Sequence, residues 1–225
     1  MTREYGQRVF IQGCGSEGTA NLHKIRIKDG CDHFPDYIDA RAQSALLEDL
    51  RKVIAEAPLY RPRMPRSGRP FSVMMTNCGP LGWVSDKSGY RYQPQHPATG
   101  ANWPPIPARL LNIWGELTGF ERPPEACLVN YYAAGAQMGM HRDEDEADFS
   151  APILSLSLGD SAIFKVGGLK RGGPAQSVKL NSGDALVMAG PARLLYHGIS
   201  RILGETSSLL DEGGRINLTL RHVGA

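Results

Sequence analysis

A chain of 225 residues with 41% hydrophobic residues is long enough to bury a sizeable core and suits one folded unit. Its net charge of +2 is too mild to establish nucleic-acid binding by bulk electrostatics; it permits DNA without demanding it, and local patches stay available to phosphates. The four cysteines, Cys14, Cys31, Cys78 and Cys127, are scattered with no Cys-x-x-Cys pair, and there is no apolar leader or membrane-length run. Reduced, core or near-core thiols in a cytoplasmic protein with no membrane partner are expected; a secreted disulfide scaffold is the alternative.

In chain order, the first predicted element is a helix over residues 39 to 57. Leu46, Leu47, Leu50, Val53 and Ile54 fall at helical spacing, Asp39 suits the N-cap, and Pro58 stands just past the end. A second helix is predicted at 107 to 118: Pro107 fits the first turn, Leu110, Ile113, Trp114 and Leu117 form a stripe, and Gly119 stops it. From residue 126 the pattern becomes short alternating runs punctuated by Gly, Pro, Asn or Asp, at 127–132, 138–142, 152–158, 162–166, 176–180, 185–188, 193–198 and 215–221. Eight short strands point to a double-sheet jelly roll. Residues 199 to 214, with Gly204, Ser207, Ser208, Gly213 and Gly214, read as a flexible connection before the last strand. There is no internal repeat, low-complexity tract or second domain.

The chemistry-bearing residues begin with His141-Arg142-Asp143. On an extended strand His141 and Asp143 project from one side, about 6–7 Å apart, while Arg142 points away. His197 must then arrive from a different strand. Two histidines and a carboxylate on one face of a metal leave the opposite face open, the arrangement of non-haem Fe(II) oxygenases. The plainer alternative is a surface strand with a solvated carboxylate. In the last segment Arg215, Asn217, Thr219 and Arg221 share one strand face and Ile216, Leu218 and Leu220 the other. A guanidinium there suits the far carboxylate of a keto-acid co-substrate, and an amphipathic edge strand with an exposed basic face is the alternative.

These residues also carry a resemblance. The run Cys127-Leu128-Val129-Asn130-Tyr131-Tyr132 through Gly135, then His141-Arg142-Asp143-Glu144-Asp145-Glu146, then Ala151-Pro152-Ile153-Leu154-Ser155-Leu156-Ser157-Leu158-Gly159, resembles the catalytic core of the AlkB family. That family comprises Fe(II)- and 2-oxoglutarate-dependent nucleic-acid dealkylases. The likeness continues through Ala162-Ile163-Phe164, Gly167-Gly168-Leu169-Lys170-Arg171, Gly183-Asp184, Tyr196-His197-Gly198-Ile199 and 215–221. Upstream it includes Met75-Thr76-Asn77-Cys78-Gly79, Leu81-Gly82-Trp83 and Gly89-Tyr90-Arg91-Tyr92. In all it covers roughly residues 70 to 222 with motif order kept, and it is to the bacterial DNA-repair branch.

The resemblance implies a double-stranded β-helix with the metal between its sheets, backed by N-terminal helices. Residues 1–225 would form a single dioxygenase domain, with helices and a nucleotide-recognition lid in 1–125 and the jelly-roll core in 126–222. It implies Fe(II) on His141, Asp143 and His197, with O2 as oxidant. It implies 2-oxoglutarate held by Arg215 at its distal carboxylate, with Asn130, Tyr132, Asn217 and a second arginine, Arg221, alongside; which carboxylate Arg221 meets is left open. Apart from the resemblance, Asn130 and Tyr132 read as a satisfied interior amide and a packed ring. Met75, Trp83, Tyr90, Tyr92, Asp145 and Arg171 match substrate-contacting positions. Trp83 and the tyrosines would stack on a flipped base, and Asp145 would favour the positive charge of N1-methyladenine or N3-methylcytosine. On their own terms these are strand aromatics, a solvated acidic run from Asp143 to Glu146, and a basic turn of Lys165, Lys170 and Arg171.

The implied reaction is oxidative demethylation of single-stranded DNA by a monomer, releasing formaldehyde and succinate. An enzyme acting mainly on methylated RNA or tRNA is the runner-up. Two readings from other classes are a Zn or Mn jelly roll that hydrolyses or isomerises a small molecule, and a nucleic-acid-binding module with a vestigial metal site. The arginine strand counts against the first and the intact ligand set against the second.

Overall fold

The computed structural model describes residues 23–224; Cys14 lies outside the described residues. Three antiparallel sheets organise the described residues. Strand β1 (Ile25–Lys28), β2 (Cys31–Phe34), β3 (Met74–Cys78), β6 (Ala126–Tyr132), β8 (Ile153–Gly159), β11 (Ala185–Met188) and β13 (Arg215–Arg221) build the largest, in the order β1-β2-β11-β8-β13-β6-β3. Facing it is a smaller sheet, β10-β9-β12-β7, made from β7 (Met138–His141), β9 (Ser161–Val166), β10 (Gln176–Leu180) and β12 (His197–Leu203). A two-stranded ribbon of β4 (Gly82–Asp86) and β5 (Gly89–Gln93) pairs with neither and packs Trp83 and Tyr92 against Met75 of β3 and Leu128 of β6. The two facing sheets form the expected jelly roll.

Both helices follow from their sequence signals. Helix α1 (Ala40–Glu56) starts where the Asp39 side chain accepts from the Ala42 amide at 2.8 Å, and it ends before Pro58. Helix α2 (Ala108–Thr118) follows Pro107 and closes on Gly119, whose left-handed backbone returns its N–H to the Gly115 carbonyl. Leu46, Leu47, Leu50 and Trp114 pack against Ile216, Leu218 and Leu220 of β13, so the helices cover one face of the large sheet. Each such leucine contributes about 1.5–3 kcal/mol on burial. The other face of β13 turns Arg215, Asn217, Thr219 and Arg221 into a cavity between the sheets. The period-two pattern therefore sorts one strand into a helix-packed side and a chemical side.

Several expectations need correction. Among the described residues five strands precede residue 126, and β1, β2 and β3 belong to the large sheet, so the division expected at 125/126 is not a division of the sheet. The strand expected at 193–198 runs instead from His197 to Leu203, after a 3-10 turn at Gly190–Ala192. Ser200 is an extra residue against β9, and this bulge leaves Ile199 and Ile202 both buried at a spacing that alternation does not anticipate. The connection is correspondingly shorter and is tied down: Asp160 accepts from the amides of Thr206 and Gly214, each at 3.0 Å. Strand β7 ends at His141, so Asp143 and Asp145 lie on an irregular segment rather than on a strand. Cys31, Cys78 and Cys127 are free and buried, as expected, and burial pushes the Cys31 thiol up to about 12.

Candidate active site

Pairing between β7 and β12 places His141 directly opposite His197, with ring centroids 4.6 Å apart. Gly198 makes the approach possible, since a Cβ there would meet the Met138 and Gly139 carbonyls at 2.5 and 2.8 Å. His141 turns Nδ1 to the Gly139 carbonyl at 2.9 Å, and His197 turns Nδ1 to the Leu195 carbonyl at 3.0 Å. With the protons on Nδ1, both Nε2 lone pairs remain for a ligand. They face Asp143, at 3.6 Å from His141 and 3.5 Å from His197. One ligand atom from each of the three residues lies within 4.8 Å of the other two. Burial, with His197 alongside, lowers the His141 imidazole and favours its neutral, ligating form. Burial would raise the Asp143 carboxyl, but the Arg221 guanidinium and both histidines hold it well below the usual carboxylate range. Two imidazoles and one carboxylate on one side of an open cavity fit the donor set of a non-haem Fe(II) site.

The cavity has a volume of about 530 Å³. Its lining ranges from Arg215, wholly buried, to Tyr90, 49% exposed, so it connects the core with the surface. Arg215 opens β13 opposite Tyr132 on β6 and donates from Nη2 to the Ser157 hydroxyl at 2.9 Å. Its buried Nε and Nη1 have no partner among the described residues. Burial lowers this guanidinium to about 10, against the opposing pull of Tyr132 and Asp184. Unmet donors of this kind cost about 1–3 kcal/mol each, and a planar carboxylate relieves the cost by accepting two of them. The site therefore fits the distal carboxylate of 2-oxoglutarate. Asn130 and Tyr132 line the same cavity, and their side chains make no hydrogen bond to a described residue, which removes the reading of Asn130 as a satisfied interior amide. Asn217 is engaged with the Ser155 hydroxyl at 2.7 Å and the Leu156 carbonyl at 3.1 Å.

Arg221 differs from Arg215. It is paired with Asp143 at 2.8 Å and with Glu146 at 2.9 Å, and donates to the Tyr92 hydroxyl at 3.1 Å. Burial would lower it, but Asp143, Tyr92 and Glu146 together raise it well above the ordinary arginine value. Tyr92, expected on the substrate, does not line the cavity; its hydroxyl donates to Glu146 behind the metal ligands. Glu146, expected among solvated acids, is 4% exposed and also paired with Arg193 at 2.8 Å. Sequence reading missed Arg193 entirely. Its one signal is a full charge within a short apolar stretch, Ala192 to Leu195.

Toward the mouth, Trp83 and Tyr90 stack at 5.4 Å with 18° between their planes, and the Trp83 indole donates to Asp145 at 2.7 Å. Partial burial raises the Asp145 carboxyl, against that hydrogen bond. Met75 is 1% exposed within the lining, and Arg171 lies at its exposed edge.

Comparison with known proteins agrees with this geometry. The sequence profile of the 2OG-Fe(II) oxygenase superfamily matches residues 30–221. The Caulobacter vibrioides "Alpha-ketoglutarate-dependent dioxygenase AlkB homolog" is 49% identical over 197 residues, covering 88% of this chain and 89% of its own. Escherichia coli "Alpha-ketoglutarate-dependent dioxygenase AlkB" is 41% identical over 187 residues, 81% of this chain and 86% of its own. Among solved structures, OsALKBH1 matches with a TM-score of 0.75 and 30% identity, over 89% of this chain and 100% of that one. The open face beside the His-Asp-His triad and the unmet guanidinium of Arg215 thus have the chemistry these relatives share, and the chain belongs to the AlkB family of Fe(II)- and 2-oxoglutarate-dependent dioxygenases, with O2 as oxidant.

Proposed function

We propose that this dioxygenase demethylates N-alkylated bases, such as N1-methyladenine and N3-methylcytosine, in single-stranded DNA. The observation that carries the reading is the Trp83–Tyr90 stack beside Asp145, in a cavity that also reaches the metal triad. A flat base sliding against an aromatic ring gains about 1–3 kcal/mol, and a carboxylate beside it favours a ring carrying delocalised positive charge. The surface at the mouth suits a phosphate backbone. Residues 57–85 contain no acid, and Arg61, Arg63, Arg66 and Arg69 are exposed on or beside a hairpin whose Met64 and Phe71 line the cavity. The side chains of Arg66 and Arg69 are engaged by no described residue, which leaves them for phosphate contacts.

When bound, Fe(II) with 2-oxoglutarate and O2 supplies hydroxylation of a substrate C–H bond, coupled to conversion of the keto acid to succinate and CO2. His141, Asp143 and His197 would hold the metal, and the cavity beside them would admit co-substrate and oxidant. Arg215 fixes the far carboxylate of 2-oxoglutarate and so orients it. Trp83, Tyr90 and Met75 exclude water and press the base toward the triad. Hydroxylation of an N-methyl carbon leaves a hemiaminal, whose C–N bond breaks to release formaldehyde and the intact base. No strand is cut.

The test is mass spectrometry of a single-stranded DNA oligonucleotide carrying N1-methyladenine, incubated with protein, Fe(II), ascorbate and 2-oxoglutarate. Loss of the methyl group with matching succinate is expected. Succinate without demethylation of any oligonucleotide contradicts the proposal, and faster demethylation of the matching RNA reassigns the substrate to the runner-up.

A further inference from the structure

A buried group of charges is attached to one of the metal ligands, Asp143, and runs from it away from the cavity. Arg221 bridges two carboxylates, Asp143 at 2.8 Å and Glu146 at 2.9 Å. Glu146 accepts in turn from Arg193 at 2.8 Å and from the Tyr92 hydroxyl, with its own side chain fully buried. Arg193 also donates to the backbone carbonyls of Asp143, at 2.8 Å, and Ala151, at 3.0 Å. Glu146 and Arg193 therefore fasten both ends of the irregular segment that carries Asp143 away from β7. The two carboxylates and two guanidiniums balance one another.

We propose that Glu146 is a positioning residue whose charge lets Arg221 stand against the metal-binding carboxylate without weakening its hold on a cation. Without that charge, Arg221 and Arg193 leave the cluster with a net positive charge. A buried positive charge repels a metal dication and attracts a dianionic keto acid in the same cavity. Glu146 thus sets the balance between metal and co-substrate affinity. This rests on the metal site described above. A loosened segment alone has a different consequence: with Asp143 misplaced, metal and co-substrate binding weaken together.

The variant is Glu146→Gln, which keeps the size and one acceptor but removes the charge. Anaerobic titration with Co(II), followed by its visible absorption, reads metal affinity; calorimetric titration of 2-oxoglutarate into Mn(II)-saturated protein reads co-substrate affinity. Glu146→Gln is expected to bind Co(II) about tenfold or more weakly, and 2-oxoglutarate equally or more tightly. The double variant Glu146→Gln/Arg193→Gln loses one charge of each sign and is expected to recover Co(II) affinity toward the wild-type value, although the segment has lost both anchors. It also serves if the single variant does not fold. Parallel weakening of both ligands in Glu146→Gln, or no recovery in the double variant, overturns the proposal. Failure of the wild-type protein to bind Co(II) would instead count against the metal site itself.

Discussion

The two ends of β13 present the same side chain in opposite states. Arg215 and Arg221 share a strand face and both are buried, yet Arg215 hydrogen-bonds only the Ser157 hydroxyl and leaves Nε and Nη1 unmet, while Arg221 is held by two carboxylates and a phenol and leaves Nε alone unmet. Their titration follows: burial lowers the first to about 10, and the neighbouring carboxylates raise the second despite its burial. A buried cation with no carboxylate beside it marks a place for an anionic ligand, whereas one already neutralised by two carboxylates marks a framework. On one strand the chain thus separates an uncompensated guanidinium, suited to the far carboxylate of 2-oxoglutarate, from one that braces Asp143.

The largest effect is expected from breaking the braced end. Asp143→Ala removes one metal ligand and leaves Arg221 to Glu146 alone, so succinate formation should be abolished while circular dichroism still reports a folded protein. Full activity in that variant would remove Asp143 from the metal site.

The opposite face of the same strand should respond differently. Leu218 is wholly buried against the helices, and Leu218→Ala is expected to cost about 2–5 kcal/mol of stability in chemical denaturation. The folded fraction should keep its 2-oxoglutarate affinity; an equally large loss of affinity would mean that the two faces are not separable.

That separation was legible in the sequence because β13 is flanked by strands on both sides, with one face in the core and one in the cavity. A strict period of two then survives from Arg215 to Arg221. The helices were legible for a similar reason, each carrying one apolar stripe and a recognisable stop. Asp143 was assigned to the right site by the wrong geometry: β7 ends before it, and Arg221 and Arg193, rather than strand alternation, set its position. Glu146 was invisible among four successive acids because its partners lie 47 and 75 residues downstream. The bulge at Ser200 hid the true span of β12, and strands of four or five residues at or next to the edges of the large sheet gave too little pattern to find.

The smallest effect is expected at the mouth, where the groups are partly solvated and the field is screened. Asp145→Ala should slow demethylation of N1-methyladenine and N3-methylcytosine by a few-fold more than that of neutral N3-methylthymine, on the order of 1 kcal/mol, in competition assays on single-stranded oligonucleotides. Equal losses for charged and neutral lesions would give Asp145 only the task of fixing Trp83.

The difference between the two arginines is tested most directly by titrating 2-oxoglutarate into Mn(II)-saturated wild-type protein, Arg215→Lys and Arg221→Lys under anaerobic conditions. Lysine keeps the charge and loses the planar pair of donors, so Arg215→Lys should bind 2-oxoglutarate about ten- to a hundredfold more weakly. Arg221→Lys should bind it within a few-fold of the wild-type value once metal is saturating. Unchanged affinity in Arg215→Lys, or a larger loss in Arg221→Lys, would contradict the assignment of 2-oxoglutarate to the uncompensated guanidinium that opens β13.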